Sequence, residues 1–288
     1  VPEGDAVWRT ARRLHDGLAG AVLEGSDLRV PTLATADLSG RRTLEVVPRG
    51  KHLLHRLEGG LTLHSHLRMD GRWRVAPAAA RYAAAHRHTT RALLWTAGVV
   101  AVGDQLGMLD LVRTDEEHRV VGHLGPDLLD PAFDLEVAVG NLLADPARPL
   151  VEALLDQRTV AGIGTIWASE PLFLEGIHPW TPAGRLGPDR LEALLTRTRR
   201  MMVRGCRDGR PLTTGGAGRG EETWVFGRRA LPCRRCGTPV RTGVVGAAPQ
   251  ERMLAYCPVC QDGLAPHDDG APQQPLGHRP EGPGQGRR

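Results

Sequence analysis

Four cysteines constrain this chain more tightly than any other feature. They stand as Cys233-Arg-Arg-Cys236 and Cys257-Pro-Val-Cys260, with twenty residues between the two knuckles. Two CxxC knuckles at that separation can set four thiolates tetrahedrally around one Zn²⁺. A pair of disulfides is the other way to close such a set, but it belongs to oxidising compartments. The start of the chain, charged by Glu3, does not read as a secretory signal. Neighbouring arginines favour thiolates and so metal. A closed four-sulfur site leaves no open position for catalysis, so a single structural Zn²⁺ is expected. It would hold residues 223–262 as a finger with a small β-hairpin, presenting Arg235, Arg241 and Arg252 to phosphate. Cys206 lies outside the set and reads as a buried apolar residue.

Charge points the same way. Residues 197–260 carry 13 Arg against 4 acidic residues, a local net of +9 in a chain whose formal net charge is +4. Such a block fits a polyanion-binding surface, with a solvated charged face as the plainer alternative. Of the 37 basic residues, Lys51 alone is lysine. An ammonium is compact, rotatable and able to shed its proton, which a guanidinium is not; chance survival of one lysine is the competing explanation. No apolar run reaches the ~18 residues that would span a bilayer. No membrane partner is therefore expected, and the cytoplasm is the expected setting.

Hydrophobic periodicity divides the chain. Val7, Ala11, Leu14 and Leu18 recur at helical spacing, with Pro2 and Glu3 suited to the first turn of that helix. Residues 20–112 then read as short strands. In LTLHSHLRM (61–69), Leu61, Leu63, Ser65 and Leu67 alternate with Thr62, His64, His66 and Arg68, as a half-buried strand would. PAAARYAAAHRH (77–88) reads as a connecting loop with some helix. From about residue 123 the spacing turns helical, and GRPLTTGGAGRGEE (209–222) reads as a flexible Gly-rich stretch. The expected architecture is α+β and multidomain. An N-terminal helix with a β-sandwich occupies 1–118, a helical domain 119–222, the finger 223–262, and a disordered, Pro/Gly/Gln-rich tail 263–288.

Within the helical domain, DQRTVAGIGTIWASEPLFLEGIHP (156–179) reads as a helix ending near Arg158, a glycine turn, and a new helix from Thr165. Gly162 and Gly164 allow close approach of the backbone, and free amides at the helix start favour an anion. This is a helix–two-turn–helix arrangement suited to gripping a DNA backbone; an ordinary αα-hairpin is the simpler alternative. His64 and His66 share a strand face, and His86 and His88 could join them around a metal, but surface or groove-facing roles fit better.

Taken together, PEGD at the start, RGKHLL (49–54), SHLRMDGRWR (65–74), AGIGTIWASEPLF (161–173), WVFGR (224–228) and the CxxC pair resemble the formamidopyrimidine-DNA glycosylase and endonuclease VIII family. The resemblance spans about residues 2–260. It implies a bifunctional DNA glycosylase/AP lyase of base-excision repair, with damaged double- or single-stranded DNA lying between the domains of a bacterial, nucleoid-associated monomer. It implies Pro2 as the nucleophile, which requires removal of Val1, with Glu3 as catalytic acid and Lys51 as the essential lysine. It also implies Arg252 as the finger arginine at the phosphates around the lesion, Met69 as a residue that fills the vacated stack, and Gly164 and Thr165 at the phosphate-contacting turn. The family's asparagine in that turn is Thr165 here. GDQLGMLDL (103–111) lacks the Arg–Phe wedge of the formamidopyrimidine branch, which places the chain nearer endonuclease VIII and oxidised pyrimidines. A damaged-DNA-binding protein of the same fold without turnover is the alternative that Thr165 leaves open.

Overall fold

The computed structural model describes residues 2–216, 218, 220–249 and 251–276; Val1 and the end of the expected tail, 277–288, lie outside the described residues. The first domain runs α1 (Gly4–Leu18), β1 (Gly25–Leu28), β2 (Thr43–Arg49), β3 (His52–Leu57), β4 (Leu61–His66), β5 (Arg72–Pro77), α2 (Ala80–Ala85), β6 (Thr90–Trp95), β7 (Val99–Asp104) and β8 (Met108–Arg113). The second holds α3 (His118–Val121), α4 (Leu135–Leu143), α5 (Leu150–Leu155), α6 (Thr165–Leu174) and α7 (Pro188–Asp208). The finger adds β9 (Arg241–Val245) and β10 (Arg252–Tyr256).

Two antiparallel sheets, ordered β1-β6-β7-β5 and β2-β3-β4-β8, face each other as the expected sandwich. Val7, Ala11, Leu14 and Leu18 form the buried stripe of α1 and join the core with Leu53, Leu57, Leu63, Leu94 and Ala101. Trp73 bridges the two sheets, its indole N–H donating to Ser65 Oγ at 3.0 Å. A second core, around Leu154, Ile163, Trp167, Leu172 and Leu194, builds the helical domain.

Two local expectations are corrected. Pro2 is not in the first turn of α1, because the helix begins at Gly4 with Glu3 as its N-cap residue, and the Glu3 side chain does not cap it. Nor is β4 half-buried: Thr62 and His64 are as enclosed as Leu63 and Ser65. The segment after β8 covers the second face of the sheet. From it, Glu117 accepts from Thr62 Oγ1 at 2.7 Å and pairs with Arg56.

The finger rests on the end of α6, where Phe173 packs with Val225, Val240 and Ala255. Residues 263–276 were expected to be disordered, yet they fold back on the hairpin. Asp268 pairs with Arg241 and accepts from the Tyr256 hydroxyl at 2.8 Å; Tyr256 accepts in turn from the Ala265 amide, and Gln273 brackets Thr242 from both sides. A few well-placed polar partners anchor a segment whose apolar content alone would not. Arg241 is thereby withdrawn from phosphate, buried and paired.

Hydrogen bonding to Arg241 holds the Asp268 carboxyl down at about 2. Because the folded state depresses this pKa, the pair's contribution is present above the ordinary carboxylate range, about pH 4, and is lost as pH falls through about 2. Asp268→Asn should lower the thermal midpoint of unfolding by several degrees at pH 7, for a loss of ~1.5–3 kcal/mol. The deficit should disappear toward pH 2 in scanning calorimetry.

Candidate active site

The turn 161–164 that precedes α6 is where the domains meet. The Gly4 amide donates to Gly162 O at 2.9 Å, and Lys51 Nζ donates to Ile163 O at 2.5 Å. Gln157 holds the same turn from its other side, its amide nitrogen 3.0 Å from Ile163 O and its oxygen accepting from the Gly162 amide. Gly162 has φ +99°, a left-handed conformation that glycine adopts without strain. Asp127 fixes the β2–β3 corner by accepting from the Gly50 amide at 2.6 Å, which sets Lys51 in place.

The Glu3 carboxylate lies against the start of α6. It accepts from the Ile166 amide at 2.9 Å and the Trp167 amide at 3.2 Å, with Thr165 Oγ1 at 3.5 Å. The anion expected at this helix start is therefore the chain's own side chain, in contact with amides that carry the positive end of the dipole. Gly164 makes the contact possible, since a Cβ there would fall 2.3 Å from the Glu3 carboxyl carbon. Asp5, in the first turn of α1, adds a second tie by accepting from Trp167 Nε1 at 2.8 Å.

Burial sets the electrostatics. It pushes the Glu3 carboxyl above its ordinary value, against the pull of Lys51 and the two amides. Burial also brings the Lys51 ammonium down to about 8, Glu3 opposing and Arg252 assisting. Both groups thus lie closer to neutrality than exposed ones would, as acid–base sites require. Pro2 is half-buried beside them.

Arg252, exposed at the start of β10, shares a groove of about 660 Å³ with His123, Gln157, Arg158 and Pro249. Met69 stands 64% exposed in the turn after β4. The four finger sulfurs lie within 4.8 Å of one another, with Cys233–Cys260 at 3.9 Å and Cys236–Cys257 at 3.5 Å. Tetrahedral thiolate ligands to zinc are separated by roughly 3.8 Å, and a disulfide by about 2 Å, so the donor set fits a metal ion and excludes disulfides.

Sequence reasoning missed Asp127, Gln157 and Glu170. Glu170 is fully buried in α6 and accepts from the amides of Trp224, Val225 and Phe226 and from the Thr213 hydroxyl, so it ties the helical domain to the finger. A buried charge inside the apolar run of α6 was the available signal. His86 and His88 are exposed, as surface roles require, while His64 is buried. His64 and His66 are joined by His52 and His123, not by His86 and His88.

Comparison with known proteins agrees with this geometry. Residues 1–108 match the formamidopyrimidine-DNA glycosylase N-terminal domain, and residues 124–214 match the formamidopyrimidine-DNA glycosylase H2TH domain. A probable endonuclease 8 2 of Streptomyces coelicolor is 53% identical over 94% of this chain and 97% of its own. A DNA-(apurinic or apyrimidinic site) lyase of Mycolicibacterium smegmatis is 42% identical over 91% of this chain and 99% of its own. Among solved structures, the MutM protein of Thermus thermophilus superposes with TM-score 0.72 at 32% identity, covering 92% of this chain and all of that one. The Lactococcus lactis formamidopyrimidine glycosylase bound to abasic-site DNA has the same fold, with TM-score 0.75 at 24% identity over 91% of this chain and all of that one.

Gly164→Ala should drive the Glu3 carboxylate off the α6 amides. The thermal midpoint should fall by several degrees, for a cost of ~1–3 kcal/mol. An unchanged midpoint would show that the carboxylate does not sit there.

Proposed function

The chain belongs to the formamidopyrimidine-DNA glycosylase and endonuclease VIII family, and from that premise we propose that it excises oxidised bases from damaged DNA and nicks the strand by β,δ-elimination. The single observation that carries this reading is the seam at residues 161–164, where Pro2–Glu3, Lys51 and the start of α6 are held together across two domains.

In this reading the Pro2 secondary amine, free once residue 1 is gone, attacks C1′ of the lesion nucleotide. An α-amino group titrates near ~8, so part of it is neutral and nucleophilic without a dedicated base. The product is a cationic iminium, which acidifies the 2′ protons. Loss of one releases the 3′ phosphate, and a second elimination releases the 5′ phosphate. Glu3, whose pKa burial raises, takes up a proton to serve as the acid for the attack on the sugar. Lys51 supplies positive charge beside the lesion, and Arg252 holds the flanking phosphates from the finger. Gly164 and Thr165 take the backbone at the turn, the threonine with a shorter reach than asparagine, while Met69 enters the stack that the flipped base leaves.

Cys233, Cys236, Cys257 and Cys260 would hold one structural Zn²⁺. Bound there, the ion would fix the hairpin that carries Arg252 and would leave the chemistry to the chain's own residues. The absence of an Arg–Phe pair in 103–111 and the endonuclease 8 relatives favour oxidised pyrimidines as substrate. The relatives are bacterial, and among the described residues no helix is long and apolar enough to cross a membrane. The setting that fits is the bacterial cytoplasm, at the nucleoid.

Two experiments test the reading. Acetylating the Pro2 nitrogen, or the change Pro2→Gly, should abolish nicking of an oligonucleotide with a single abasic site while leaving binding of that oligonucleotide intact. Nicking at the native rate would rule out this nucleophile. Cys257→Ser should lose the one equivalent of zinc measured by atomic emission and weaken DNA binding at physiological salt; retained zinc would contradict the ligand set.

A further inference from the structure

The second half of α7 is dense in arginine, and the fold engages these side chains unequally. Arg197 pairs with Glu175 at the end of α6. Arg199 donates to Asp130 O at 2.9 Å and lays its guanidinium over the Phe133 ring, 5.2 Å from the centroid. Arg200, Arg204 and Arg207 are exposed, and among the described residues none of the three has a side-chain hydrogen bond or an ion pair. They border a groove of about 660 Å³ whose apolar lining is Phe133, Leu135 and Val203, all half-buried.

This groove faces away from the seam. Met202 reaches the seam, since its Cε would lie 2.9 Å from a Cβ on Gly4 and 3.5 Å from one on Gly162. Helical residues succeed one another at about 100°, so Arg200 and Arg204, each two positions from Met202, stand about 160° around α7 from it. The buried stripe of Leu191, Leu194, Leu195, Thr198 and Met202 occupies the opposite side of the helix.

Folding alone does not account for the arrangement. Arg200 and Arg204 are four residues apart and Arg204 and Arg207 three, spacings at which like charges destabilise a helix. The helix dipole favours a cation in the last turn, which explains Arg207 but not Arg200, two turns earlier. A ligand of opposite charge would relieve the repulsion. The backbone of a duplex offers no apolar group to Phe133 and Leu135, and no hydrogen-bond donor to the Asp208 carboxylate, which also lines the groove. An acidic peptide offers carboxylates to the guanidinium forks, an apolar side chain to the lining, and backbone N–H groups to Asp208.

We propose that the groove docks an acidic segment of a partner protein. A bulky apolar side chain of that segment lies against Phe133, Leu135 and Val203, and its carboxylates pair with Arg200, Arg204 and Arg207. Because the groove faces away from the seam, the partner and DNA are held at the same time. The assignment does not depend on the lyase reading above.

The test uses the full chain and a short fluorescein-labelled peptide of glutamates around one phenylalanine, with binding read by anisotropy. The native protein should bind it, less tightly as salt is raised, and an excess of abasic-site duplex should leave it bound. Arg200→Glu combined with Arg204→Glu should weaken peptide binding at least about tenfold while leaving affinity for the duplex unchanged. Arg200→Gln combined with Arg204→Gln should weaken it by a smaller factor at an unchanged thermal midpoint, which separates lost charge from a lost fold. Serine in place of the peptide's phenylalanine should weaken binding as well. No binding by the native protein, or equal binding by the native and charge-reversed proteins or of the two peptides, would overturn the assignment. So would displacement of the peptide by duplex, which would place it in the DNA cleft. Loss of duplex affinity in the charge-reversed protein, with peptide binding intact, would give the face to nucleic acid instead.

Discussion

The contact between the Glu3 carboxylate and the first amides of α6 is the constraint on which the rest of the molecule depends. It joins the third residue of the sandwich domain to a helix more than 160 residues away, and it does so in a buried place where an unpaired charge could not remain. Hydrogen bonds to a charged group contribute ~1.5–3 kcal/mol each, so two amides at 2.9 and 3.2 Å make a firm tether. Its geometry dictates the neighbours. Gly164 must lack a Cβ, Gly4 meets Gly162, and Pro2 is left half-buried ahead of the helix.

A second buried carboxylate repeats the device at the other end of α6. Glu170 gathers three successive amides of the segment entering the finger, so one helix is gripped by the catalytic domain at its start and grips the finger at its end. The distance between Pro2 and Arg252 is thus governed by a rigid element of ten residues. The strap of residues 263–276 stiffens the outer face of the hairpin through Asp268, Arg241 and Tyr256. Pro2 and Arg252, the proposed nucleophile and the proposed phosphate contact, are thus tied to the two ends of one helix by polar contacts between domains that each have their own core.

Much of this was legible in the sequence because the signals are local. The CxxC knuckles fix their own geometry, α1 advertises its buried stripe at every third or fourth residue, and the glycine turn before Thr165 marks where a helix must restart. The proposed site residues Pro2 and Glu3 were singled out through resemblance to a family, and Lys51 also as the sole lysine; nothing in their spacing says that Glu3 and Lys51 reach the same turn. What stayed hidden depends on partners far along the chain. Nothing near Asp127 in the sequence says that it holds Gly50, and Glu117 turns the polar side of β4 into an interior. The segment after the finger misled for the same reason: its poverty in large apolar residues pointed to disorder, while Asp268 and Gln273 had partners that composition does not reveal.

The central claim is that the seam delivers the Pro2 nitrogen, and no other amine, to the sugar. The most direct test is to reduce the native protein on abasic DNA with borohydride, digest the cross-linked product and map the deoxyribose remnant by tandem mass spectrometry. This account predicts that the remnant sits on the nitrogen of Pro2, at the end of a peptide lacking residue 1. A remnant on the side chain of Lys51, with Pro2 unmodified, would contradict it.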